Sequence, residues 1–89
     1  MLPGNSVAIT EDGAVAAGSG RVSGVVVTAA AATASLILYD NPSAASGTVL
    51  LSLSAVADTS VVYNVPFVFS TGVYADIGGA GAAAYVILA

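Results

Sequence analysis

The chain has 89 residues, of which 57% are hydrophobic and 7% charged, and its formal net charge is −4. Arg21 is its one basic residue, and His, Cys and Trp are absent. This composition excludes an imidazole base, a thiolate nucleophile or metal ligand, and a lysine Schiff base, and a lone arginine cannot neutralise a nucleic-acid backbone or dock on an anionic membrane.

At 8.5 kDa the chain is one small domain. Such a domain buries only about 60–65% of the surface its unfolded chain exposes. With a mean hydropathy of +0.97, a monomer would leave much Val, Leu, Ile and Ala outside, and contiguous exposed apolar surface marks interfaces. The composition therefore predicts burial between subunits. Residues 22–39 are uncharged and long enough to cross a bilayer. Their centre, TAAAATAS at Thr28–Ser35, drives insertion weakly, and no basic cluster orients it. The opening MLPGNSVAIT lacks the basic and apolar regions of a signal peptide, so a cytoplasmically made product with no membrane partner is expected.

Residues 1–20, MLPGNSVAITEDGAVAAGSG, are rich in Gly and small residues, with one short extended run at Val7–Thr10 and a turn signal at Glu11-Asp12-Gly13. This segment reads as an N-terminal arm or a first strand, with the arm favoured because it offers little core of its own. From Arg21 on, short β-type runs alternate with turn signals every 8–12 residues, as in a sandwich or barrel. The runs are Arg21–Thr28, Thr33–Tyr39, Thr48–Ala55, Val61–Val65, Phe67–Ser70, Val73–Ile77 and Ala83–Leu88, with an Ala-rich link at Ala29–Ala32 and a strong turn at Asp40–Gly47. Pro66 breaks one run and places the next piece at an edge or corner. The expectation is an all-β, jelly-roll-like antiparallel sandwich of about seven or eight short strands, with residues 21–89 as the domain and residues 1–20 separable from it.

Thr48–Ala55 alternates, with Val49, Leu51, Leu53 and Ala55 on one face and Ser52 and Ser54 on the other. Val61–Val65 and Ala83–Leu88 are apolar on both faces, a pattern of strands buried on both sides. In a sandwich this small, one of those faces meets another subunit. Leu50, Val62, Val86 and Leu88 are the candidate interface residues, taken as the outward members of their strands.

The acids are Glu11, Asp12, Asp40, Asp58 and Asp76. Four sit in predicted turns, where Asp commonly bonds nearby backbone. Asp76 lies within a strand and is read as a surface charge that blocks edge pairing or as a partner of Arg21. Asp40-Asn41 has the oxygen donors a hard cation prefers, but matches no known calcium-loop spacing. Gly78-Gly79-Ala80-Gly81 lacks the Lys-Ser/Thr ending of a phosphate loop and reads as a turn. No catalytic, cofactor or metal residue is assigned, and the expectation is a non-enzymatic protein without cofactors. Tyr63 and Tyr74 are the aromatics best placed to stack on a sugar.

Gly24–Val27 (GVVV), Ser35–Leu50 (SLILYDNPSAASGTVL), Val65–Gly79 (VPFVFSTGVYADIGG) and the closing AAYVILA together resemble small virion proteins of tailed bacteriophages. There a strand ending in LYD leads to a small-residue turn and SGT, and a later F-x-x-G-hydrophobic-Tyr strand leads to a Gly-rich turn and a last apolar strand. The resemblance implies a β-sandwich building block of the particle, with head decoration (cement) first, often trimeric and clamped on the major capsid protein or another virion protein. A tail or fibre module that binds a host glycan is the alternative, and edge-to-edge filament assembly of the Ala/Val/Gly-rich strands is a third. Residues 1–20 have no counterpart in the resemblance, and as an arm they would reach the shell while their deletion left the sandwich folded.

Overall fold

The computed structural model describes residues 5–64 and 66–88. They contain no helix and nine strands: β1 (Asn5–Ile9), β2 (Gly13–Ala17), β3 (Gly20–Thr28), β4 (Ala34–Tyr39), β5 (Val49–Ala55), β6 (Ser60–Tyr63), β7 (Phe67–Phe69), β8 (Gly72–Gly78) and β9 (Ala83–Leu88). A front sheet runs β1-β9-β3, with β6 and β7 sharing the far edge of β3; a back sheet runs β2-β8-β4-β5. All pairings are antiparallel.

β6 pairs with Val25–Thr28 and β7 with Gly20–Val22, so the two act as halves of one strand along β3. The break between them contains Pro66, which has no N–H to give the ladder. On that reading the first strand pairs with the last, the second with the next to last, the third with the broken strand and the fourth with the fifth. The chain is one long hairpin folded across itself and closed by the β3–β9 and β4–β8 pairings, which is jelly-roll connectivity.

Period-two alternation turns one side of each strand into the space between the sheets. Val22, Val25, Val27 and Val86 enter from the front sheet, and Leu36, Leu38 and Val73 from the back; all seven are fully buried. Each contributes about 1.5–3 kcal/mol by leaving water. No polar side chain among the described residues is buried, so the core is held by apolar packing alone.

Two sequence expectations need correction. Residues 5–17 are not an arm: β1 pairs with β9 from Asn5↔Leu88 to Ile9↔Ala84, and β2 pairs with β8. Ile9 is buried, and Val15 and Ala16 pack against the core, so the leader supplies one edge strand to each sheet. Residues 1–4 lie outside the described residues. The second correction concerns alternation in β5, where a bulge opposite Leu38 and Tyr39 inserts one extra residue. The bulge turns Leu50 toward the core and leaves Val49 51% exposed.

Two carboxylates tie the sheets at their corners. Asp40, at the end of β4, accepts backbone N–H bonds from Ser70, Thr71 and Gly72 (2.8–3.3 Å to its oxygens) and the Thr71 hydroxyl at 3.0 Å. Those three residues form the turn that carries the chain from β7 in the front sheet to β8 in the back. Gly18 holds the other side of the turn, donating to the Thr71 carbonyl at 3.0 Å. Gly72 is required by close approach, since a methyl group there would lie 2.7 Å from the Ala16 carbonyl oxygen and 2.7 Å from Pro42 Cα. Asp12 acts similarly between β1 and β2, accepting the Ile77 N–H at 2.8 Å.

Deleting residues 2–20 removes β1 and β2 and bares the edges of β9 and β8. The truncated chain is expected to lose its cooperative thermal transition, read by circular dichroism. A cooperative melt close to that of the full chain would show that the two strands are dispensable.

The Thr71 N–H, ahead of those of Ser70 and Gly72 and the Thr71 hydroxyl, lowers the Asp40 pKa, while partial desolvation opposes the shift. A folded-state pKa below the unfolded value of about 3.9 means that the stabilisation is full above that value and is lost as pH falls through the folded one. Asp40→Asn is therefore expected to melt several degrees lower at pH 7 and to show a shallower decline on acidification below about pH 4. Superimposable melting-temperature profiles between pH 2 and 7 for the two proteins would refute the clamp.

Candidate interaction surface

Because the core takes one side of every strand, the other side of each sheet faces outward. On the front sheet, Ala8, Tyr85, Val26 and Val62 lie directly opposite one another and form an apolar row across β1, β9, β3 and β6. Tyr85 is 47% exposed and Val62 66%. Ile87 flanks the row on β9, and Val68 on β7, 67% exposed, extends the apolar surface beside Arg21. Toward the other end of β3, Thr28 and Ser60 face each other with their hydroxyls 3.3 Å apart.

The back sheet has a matching row. Ala14, Tyr74, Tyr39 and Val49 are successive cross-strand partners on β2, β8, β4 and β5. The next row is Asp76, Ile37 and Ser52, followed by Gly78, Ser35 and Ser54. This face thus mixes two tyrosines with a carboxylate and three hydroxyls.

Of the four interface candidates from the sequence, Val62 is on an outer face and the other three are turned inward. Val86 is completely buried, while Leu50 and Leu88 pack against the core. In β9 both sets of alternating side chains are apolar, so alternation alone leaves the inward set undetermined. Pairing with β1 and β3 sends Ala84 and Val86 inside and turns Tyr85 out. Tyr85, Val26, Val68 and Val49 are among the outward residues that sequence reasoning missed. Val49 became legible only with the β5 bulge.

The other candidates are dispersed. Tyr63 points inward, its ring tilted against Phe67 with centroids 6.4 Å apart, which removes it from any glycan platform. Tyr74 is half-buried and outward, beside Tyr39. Arg21 and Asp76 belong to the outer faces of opposite sheets and do not pair; β8 is moreover a central strand, so Asp76 guards no edge.

The carboxylates gather nowhere: among the described residues no three acids, His or Cys come together in a metal-sized group. The Asp40 oxygens meet N–H and O–H donors, and Asn41 Oδ1 accepts from the Ser43 and Ala44 amides at 2.9 and 3.0 Å. These oxygens serve turns, an arrangement unlike the ligand shell of a hard cation. An open recess of about 460 Å³ follows the β1–β2 corner from Val7 to Val15, where one Asp12 oxygen already holds the Ile77 amide. The Gly-rich stretch after Ile77 is the β8–β9 turn, closed by the Ala82 N–H on the Gly79 carbonyl at 3.2 Å. Among the described residues no helix is long and apolar enough to cross a membrane, and residues 22–39 run from β3 through a loop into β4 of the other sheet.

Compared with protein-family models, curated proteins and solved structures, the chain matches none.

Proposed function

We propose that this chain is a non-enzymatic structural subunit of a tailed-phage virion, a head-decoration protein that assembles as a trimer and stabilises the shell by contact with the major capsid protein. The observation that carries the reading is the pair of apolar rows, Ala8–Tyr85–Val26–Val62 and Ala14–Tyr74–Tyr39–Val49, on the two outer faces of one thin sandwich. Exposed apolar side chains grouped on a small protein mark contact surfaces, and such rows on opposite sides suit a brick held between neighbours. The likeness of residues 21–89 to phage virion proteins supports the same reading.

A second reading has its own observation. Tyr39 and Tyr74 are direct cross-strand neighbours on the back face, with Asp76 in the adjoining row. Aromatic rings beside hydrogen-bonding groups form a platform on which a sugar can stack, as a tail or fibre module would use on a host glycan.

Gold-labelled antibody against the chain, applied to phage particles released from the cells that carry its gene, tests both. Regular label over the head is expected. Label confined to the tail or fibres, with glycan-array binding lost in Tyr74→Ala, would transfer the function to host recognition. Virions free of label would overturn both readings.

A further inference from the structure

We infer that the outer face of the front sheet is the surface through which copies of this chain bury one another. This deepens the oligomeric part of the proposed function by assigning it to one face.

The argument begins with charge. The chain carries five carboxylates against one arginine, so identical copies repel wherever a carboxylate enters their contact. Glu11 and Asp12 sit at the β1–β2 corner, Asp40 at the end of β4, Asp58 in the β5–β6 turn, and Asp76 on the outer face of the back sheet. The outward side of β1, β9, β3, β6 and β7 carries no acid, and its one charge, Arg21, lies at the end of β3 that pairs with β7. Stacking through the back faces would instead bring Asp76 carboxylates into the contact.

Size and relief point the same way. The molecule measures 34 × 32 × 17 Å, so a sheet face offers at most on the order of 1,000 Å², comparable to the roughly 800 Å² per partner of a standard stable interface. Tyr85 stands between Ala8 on β1 and Val26 on β3, with Ala83 and Ile87 as its outward neighbours on β9. A large aromatic beside small residues gives a ridge and a recess on the same patch, which identical copies can interlock. Faces between permanent partners of one kind are more apolar than the general surface, and this one presents Val26, Val62, Val68, Tyr85 and Ile87.

Light scattering behind a sizing column, on the purified full chain with no capsid present, tests the assignment. The wild type is expected as a discrete oligomer of at least twice 8.5 kDa. Tyr85→Glu and Val62→Asp are expected to run as monomers with wild-type circular dichroism and a cooperative melt. Should either charge disturb folding, Val62→Thr at this exposed site serves instead and is expected to raise the dissociation constant at least tenfold. Ser54→Asp on the back face is expected to leave the mass unchanged. A monomeric wild type, or dissociation by Ser54→Asp with Tyr85→Glu still assembled, would overturn the inference. An oligomer that front-face variants dissociate would uphold it even if the virions carry no label, so the two readings fail separately.

Discussion

The Asp40 carboxylate is the tie on which the closure of this sandwich depends. A jelly roll needs its chain to cross between sheets several times, and each crossing leaves backbone amides with no ladder partner. At the β7–β8 crossing three such amides converge on one carboxylate, and the Thr71 side chain bonds both that carboxylate and the Asp40 backbone carbonyl. Charge-assisted bonds to N–H groups are among the stronger hydrogen bonds a protein makes. This set fixes where β8 starts relative to β4. The β4–β8 register, Leu38↔Ala75 and Leu36↔Ile77, then places the largest fully buried side chains of the back sheet against the valines of β3.

Much of this fold is written in local pattern, and the rest in pairing. β3 through β9 are readable because their β-branched and aromatic runs stop at Gly, Pro, Asn or Asp. β2 escapes such reading: GAVAA has one β-branched residue, and Gly and Ala are depleted in strands. It becomes a strand because β8 lies beside it with a free edge. The inward face of β9 is equally illegible in isolation, since AAYVIL is apolar at every position and only its neighbours decide between Tyr85 and Val86. A bulge has the same effect in β5, where one extra residue reverses the parity of Val49 and Leu50. The turn role of Asp40 was legible from its place after LY, but its partners were not, because they lie 30–32 residues further along the chain.

These limits bear on the candidate surface. Both apolar rows are products of cross-strand register, each drawing one residue from each of four strands that are distant in sequence. No linear motif encodes Ala8, Tyr85, Val26 and Val62 as neighbours. Composition did forecast that a chain this small and this apolar would carry exposed hydrophobic surface, and pairing determines which residues supply it.

Edges and faces raise one further question of solubility. Natural sheets guard their edges with lysine, proline, bulges or brevity, and this chain has no lysine. The β6–β7 edge is broken near Pro66, β2 is bulged at Val15, and β1 is five residues long. β5 is the least guarded edge, seven residues without charge or proline, protected chiefly by the outward hydroxyls of Ser52 and Ser54. Charge, the usual means of keeping copies apart, is spent elsewhere: Asp40 and Asp12 hold backbone amides at the corners, and Asp58 sits in a tight turn with φ of 63°, a conformation that Asp tolerates better than most residues. With Asp40 and Asp12 serving the backbone and no acid on the outer side of the front sheet, little remains on that face to repel a neighbouring copy. Such a surface is suited to permanent contact, where its valines and tyrosines are covered, more than to dispersal as single chains in water.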